Sequence, residues 1–133
     1  MAGDQVNGSD SGSESGAPVY RIHPNEDIKS PYYIQPADVS VRLGGDAFNG
    51  KNYISGSKTF EMSLFVKKKL GFIDGSLPQP DRVKDPVLFE AWESASSLVF
   101  SWLVMSVAPE LRQNLLYFTN AREIWSEMRT RYE

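Results

Sequence analysis

Residues 85–107, DPVLFEAWESASSLVFSWLVMSV, decide the fold of this chain. Their apolar side chains recur every three or four residues, which is the spacing of one face of an α-helix. The members of this face are Leu88, Trp92, Ala95, Val99 and Leu103. A second apolar row beside it widens the stripe, so we expect this helix in the middle of a bundle. Asp85 and Pro86 are typical of a helix start, and Pro109 marks the end because proline disfavours a continuing helix.

Three more helices are predicted on the same grounds. The first covers about 57–70 and is expected to be followed by a left-handed Gly71. Its predicted core-facing stripe consists of Met62, Phe65, Val66 and Leu70, with Phe60 and Leu64 at its side. The others cover about 109–118 and about 120–133, the last one capped by Asn120 and Glu123. With the central helix at about 86–107, the sequence predicts an all-α fold, a small bundle of about four helices.

The N-terminal residues 1–30 differ in composition from the rest. They are rich in Gly, Ser, Asp and Asn and hold five of the 17 acids but two of the 14 bases, so they are predicted to form a disordered acidic tail. Residues 31–133 keep twelve of each charge and form the predicted domain. This domain begins with an extended strap from Pro31, with at most a short strand where Val39, Val41 and Leu43 alternate. Its apolar pattern is still running at residue 133, which predicts that the domain is truncated there.

The composition argues against several classes of protein. The chain has no cysteine, so disulfides, thiolate nucleophiles and Cys-based zinc sites are excluded. The only histidine, His23, lies in the predicted tail, and no phosphate-binding glycine pattern occurs. We therefore expect no enzyme, no cofactor, no metal and no small-molecule substrate. No signal peptide or membrane-spanning run is present, so an intracellular, cytoplasmic protein is expected.

Two groups of residues are candidates for binding. Four apolar residues are expected to remain for a protein partner and to support self-association: Phe100, Trp102, Leu116 and Tyr117. Four lysines suggest a nucleic-acid contact as the alternative: Lys58, Lys67, Lys68 and Lys69. The helix dipole alone also favours cations in a last turn, and the domain is neutral, so any such contact is expected to be weak.

Six sequence motifs carry a family resemblance. They are PYYIQPADV at 31–39, FNGKNY at 48–53, KKKLGFIDGSLPQP at 67–80, the single tryptophan in FEAWE at 89–93, SWLVMSVAPEL at 101–111 and TNAREIWSEMRTRYE at 119–133. Their order and spacing resemble the N-terminal Gag region of copia-type LTR retrotransposons. The most specific parts are LGFIDGSLPQP, SWLVMSVAPEL and AREIW. One departure is Gly56, which stands where the family usually carries a tryptophan.

The resemblance implies a structural role. Gag polypeptides of this kind are similar to capsid proteins and self-associate into particles that enclose the RNA of the element. The expected partners are other copies of the chain or other Gag chains. Two alternatives to this reading remain: a nucleic-acid-binding module that uses Lys67–Lys69, and a decayed or repurposed remnant, for which Gly56 and the early end of the pattern argue.

Overall fold

The computed structural model of the chain describes residues 5–6, 16–40, 47 and 49–132. Within these residues the fold is all-α, as predicted. The helices are α1 (Tyr53–Val66), α2 (Gly71–Asp74), α3 (Pro86–Ser106), α4 (Pro109–Leu115) and α5 (Ala121–Tyr132). Two short strands, β1 (Gln5–Val6) and β2 (Val19–Tyr20), pair antiparallel. None of the described helices is long and apolar enough to cross a membrane.

The chain divides into two compact units. Unit 1 consists of Met1–Gln35 and Gln79–Ala95, and unit 2 consists of Pro36–Pro78 and Ser96–Glu133. Helix α3 begins in unit 1 and ends in unit 2. Its predicted start is confirmed, because the Asp85 carboxylate accepts a hydrogen bond from the backbone N–H of Leu88 at 3.1 Å.

Unit 1 is stabilised by polar contacts between its N-terminal segment and the beginning of α3. The Tyr20 hydroxyl donates to the Asp85 carboxylate at 2.6 Å. Burial, and then this hydrogen bond, raise the pKa of Tyr20 well above its usual value. The side-chain amide of Asn25 donates to two backbone carbonyls, that of Tyr32 at 2.8 Å and that of Ala91 at 2.9 Å. The bonds to Asp85 and Ala91 join residues more than sixty positions apart in the sequence.

These contacts involve the second half of residues 1–30, the predicted tail. Most of the first half of that tail lies outside the described residues, but residues 16–30 form turns and defined hydrogen bonds. His23, predicted to be solvated, places its Nε2 3.1 Å from a carboxylate oxygen of Glu90. The composition correctly indicates that this segment has little apolar surface to bury. The composition contains no information about polar partners elsewhere in the chain.

The predicted extended strap is also different in part. Residues 36–40 form a 3₁₀ helix, and residues 41–46, which hold most of the predicted strand, lie outside the described residues. Proline at position 36 suits the first turn of such a helix because its N–H would have no partner there.

The core of unit 2 is apolar and aromatic. The Phe60 ring of α1 lies 5.6 Å from the Trp125 ring of α5, and the Tyr53 ring lies 5.7 Å from the Tyr132 ring, measured between centroids. Tilted ring pairs at such distances contribute beyond their buried area. The largest fully buried side chains of this unit are Trp102, Tyr53, Phe60, Leu64, Leu103, Ile124, Val99 and Val107.

Helix α1 lies four residues earlier than predicted at both ends, running over Tyr53–Val66. It ends in a Schellman motif, in which the N–H of Lys69 bonds the carbonyl of Leu64 at 2.8 Å and the N–H of Lys68 bonds that of Phe65 at 3.0 Å. The left-handed residue of this motif is Lys68, with φ 62°, whereas glycine normally occupies the position. The missing glycine explains why the sequence did not reveal the helix end.

The predicted role of Gly71 is therefore wrong. Gly71 is the first residue of α2. The glycine that is left-handed in this region is Gly75, with φ 88°, directly after the end of α2. A Cβ atom on Gly71 would lie 2.5 Å from the Leu77 side chain, so glycine is needed there for close packing. A Cβ on Gly75 would meet the guanidinium carbon of Arg122 at 2.8 Å.

The predicted capping of α5 is confirmed in part. The Asn120 side-chain oxygen accepts from the N–H of Glu123 at 2.9 Å. The Glu123 carboxylate accepts from the N–H and the hydroxyl of Thr119, at 3.1 and 3.0 Å. These bonds lower the pKa of Glu123.

Candidate protein interface

The outer face of α1 is the candidate interface, and it reverses part of the sequence prediction. Helix α1 turns Tyr53, Ser57, Phe60 and Leu64 toward the core. Of the stripe predicted to be core, three members are solvent-exposed: Met62, Phe65 and Val66. Together with Ile54 they have exposed fractions between 59% and 77%. We call Ile54, Met62, Phe65 and Val66 the outer apolar face of α1.

The periodicity predicts the wrong side of α1 as buried, because α1 is apolar on two sides. Phe60 and Leu64 have the spacing of one helical face, and Met62 and Val66 have the spacing of another. Periodicity cannot rank two such faces. The ring of Trp125 decides between them by contacting Phe60, and no signal within α1 indicates this contact.

Two charged residues are set into the outer apolar face. Lys58 and Glu61 are both exposed, one near the middle of α1 and the other one turn later. Neither forms an ion pair within the described part of the chain. The face is therefore apolar with one charge of each sign.

A second exposed apolar site follows α4. Leu116 and Tyr117 come directly after its last residue, and Tyr117 has 85% of its surface exposed. These two residues are available to a partner, as the sequence prediction requires, whereas Phe100 is half-buried.

Trp102 is not available to a partner, which corrects the prediction for this residue. Its exposed fraction is 1%, and its indole N–H donates to the backbone carbonyl of Asp38 at 3.1 Å. A buried indole needs such an acceptor, and its ring then belongs to the core of unit 2.

The four lysines do not form one basic surface. The Lys67 ammonium lies 2.7 Å from the Asp38 carboxylate and 5.9 Å from the centroid of the Trp102 ring. Lys69 is buried, and burial lowers its pKa. Only Lys58 and Lys68 are exposed, so the prediction of a nucleic-acid contact made by all four is not supported by their positions.

Carboxylates of the loop before α3 serve the backbone. Asp81 accepts from the N–H groups of Val83 and Lys84 at 2.8 and 3.0 Å, which lowers its pKa. Across the described residues, no group of three or more His, Cys, Asp or Glu side chains is placed to hold a metal ion.

Comparison with known proteins gives a match to a family model. No curated protein and no solved structure is similar enough to match the chain. Of the motifs quoted above, FNGKNY and KKKLGFIDGSLPQP lie within the matched range, which also contains α1 and α2. Over residues 38–81 the chain matches the family model described as the Gag-polypeptide of LTR copia-type, and this match confirms the resemblance that its motifs predict.

Proposed function

We propose that the chain is a non-enzymatic, Gag-like structural module that acts by associating with other copies of itself. The observation that carries the proposal is the outer apolar face of α1. Contiguous exposed apolar side chains are typical of protein-binding surfaces, because exposure to water has no benefit for the monomer. A cytoplasmic location and assembly into capsid-like particles belong to the same proposal.

Two further observations support it. The matched family range includes the whole of α1, so the exposed face lies in the part of the chain that is similar to Gag polypeptides. Leu116 and Tyr117 offer a second exposed site on the same unit. An assembly larger than a dimer requires two different contact surfaces on each copy.

The expected association is weak. Covering an exposed apolar side chain of this size contributes about 1–2 kcal/mol. The outer apolar face offers four such side chains per copy, and association costs roughly 4–15 kcal/mol in lost freedom of motion. The gain and the cost are of similar size, so we expect association only at high protein concentration.

Light scattering coupled to size exclusion, over a dilution series, tests the proposal. The wild-type chain should change from monomer to larger species as concentration rises. Phe65→Glu should remain monomeric, because it places a charge beside Met62 and Val66 in the outer apolar face. The matched control is Val83→Glu, an exposed apolar residue of a loop, and it should associate like the wild type.

Circular dichroism separates loss of association from loss of folding. Phe65→Glu should keep the helical content of the wild type, because the side chain is exposed. A wild-type chain that stays monomeric at high micromolar concentration would overturn the proposal. Equal loss of association in both variants would also contradict it, because the contact would then not be specific to α1.

A further inference from the structure

We infer that the outer face of α1 pairs antiparallel with α1 of a second copy, around a two-fold axis. This inference rests on the proposed self-association and names its geometry. The carrying observation is the order of residues along the face: Ile54, Lys58, Glu61 and Phe65. An apolar residue stands at each end of this row, and one charge of each sign stands between them.

The spacing of the row is the same in both directions. The steps from Ile54 to Lys58, from Lys58 to Glu61 and from Glu61 to Phe65 are four, three and four residues. At 3.6 residues per turn, these four residues lie within an arc of about 60° on the helix surface. They therefore form one narrow line that a partner helix can cover.

Antiparallel pairing matches this line to itself. Consider a second α1 that runs in the opposite direction, with the two-fold axis crossing the pair at the level of Thr59 and Phe60. Lys58 then lies opposite Glu61 of the other copy. The two-fold axis repeats the contact, so two Lys58–Glu61 pairs form. In the same register Ile54 lies opposite Phe65 at both ends, and apolar side chains meet apolar side chains.

The other apolar residues fit the same arrangement. Met62 and Val66 lie on one flank of the row, displaced around the helix in the same direction. A two-fold axis perpendicular to both helices places the Met62 and Val66 flanks of the two copies on the same side of the pair, with the two Met62 side chains nearer the axis and the two Val66 side chains farther from it. Parallel pairing would instead place Lys58 beside Lys58 and Glu61 beside Glu61, which is unfavourable because like charges repel.

Lys58 and Glu61 are available for such contacts. Both side chains are exposed, and no ion pair within the described residues engages either of them. Such an interface is isologous and closes after two copies. Larger assemblies would then need another contact, for which Leu116 and Tyr117 are exposed.

Charge reversal tests the pairing in the intact chain. Lys58→Glu places two acidic residues opposite each other in both contacts, one on each side of the two-fold axis. Glu61→Lys places two basic residues opposite each other at the same positions. Each single variant should raise the dissociation constant of the dimer about tenfold, because two attractive pairs become repulsive. The double variant, with both charges exchanged, should return to the wild-type value.

Mixing the two single variants gives the sharpest measurement. In the mixed dimer every acidic residue faces a basic one, so an equimolar mixture should dimerise as well as the wild type in sedimentation velocity. Lys84→Glu makes the same change in net charge on an exposed loop residue and should leave the dissociation constant unchanged. Circular dichroism of each variant confirms that α1 remains helical.

The possible results separate this inference from the proposed function. Self-association that is insensitive to both charge reversals overturns the antiparallel pairing but leaves the proposed function intact. Weakened association that neither the double variant nor the mixture restores also overturns it. A wild-type chain that never dimerises overturns both.

Discussion

Helices α1 and α5 contact each other through aromatic rings, yet their outer surfaces are opposite in character. The outer side of α5 carries Arg122, Glu123, Ser126, Arg129, Thr130 and Arg131. The outer side of α1 carries the apolar side chains of Ile54, Met62, Phe65 and Val66. Helix α5 is therefore the usual amphipathic surface helix, whereas α1 presents apolar groups both to the core and to solvent. An outer apolar surface is therefore a property of α1 and not of α5.

The largest expected effect distinguishes the two sides of α1. Phe60→Ala should lower the free energy of unfolding by about 3–5 kcal/mol, because it leaves a cavity beside Trp125. Phe65→Ala, on the outer side, should change it by less than about 0.5 kcal/mol when measured on the monomer. Urea denaturation at low protein concentration measures both values. Similar losses for the two variants would show that Phe65 is part of the core.

The next prediction concerns the end of α1. Lys68→Gly should raise the free energy of unfolding by about 1 kcal/mol, because glycine adopts a left-handed conformation without the cost that lysine pays. Lys58→Gly, in the interior of the same helix, should lower it by about 1 kcal/mol. Thermal unfolding of the two variants compares them directly. A loss of stability in both would mean that Lys68 is not left-handed in solution.

The smallest expected effect concerns the beginning of α5. The pKa of Glu123 is lowered in the folded chain by hydrogen bonds from Thr119, so its carboxylate stabilises the fold above the usual pKa near 4.5. That stabilisation is lost as the pH falls through the lower, folded value. The melting-temperature difference between wild type and Glu123→Gln should therefore be present at pH 7 and shrink below about pH 4.

A second variant checks the source of this pH dependence. Thr119→Ala removes the hydroxyl donor and keeps the backbone donor, so its effect should have the same pH dependence and a smaller size. A difference between wild type and Glu123→Gln that is constant from pH 7 to pH 3 would exclude the ionised carboxylate as its cause.

The sequence predicts the elements that depend on local signals. Asp85 and Pro86 begin α3 as expected, and Pro109 begins α4. These residues act through hydrogen bonds and dihedral angles within one turn, which a sequence pattern records directly.

Contacts between residues that are distant in the sequence account for the differences between the prediction and the structure. Which side of α1 is buried depends on Trp125, and the burial of Trp102 depends on a carbonyl group in the 3₁₀ helix. Tyr20 and Asn25 make hydrogen bonds to Asp85 and Ala91 that the composition of their own segment does not indicate. The candidate interface is therefore only partly predictable: Leu116 and Tyr117 are exposed as expected, whereas the periodicity assigns Met62, Phe65 and Val66 of the outer apolar face to the core.

The hydrogen bond from Trp102 ends on the main chain of residue 38, and this has a consequence for how the sequence can vary. Any amino acid that fits the 3₁₀ helix at this position supplies the same carbonyl group to the indole. The ion pair with Lys67, by contrast, needs the aspartate side chain. Substitution at position 38 can thus remove the ion pair and preserve the hydrogen bond to the tryptophan. Covariation between related sequences would therefore reveal the ion pair and miss the hydrogen bond.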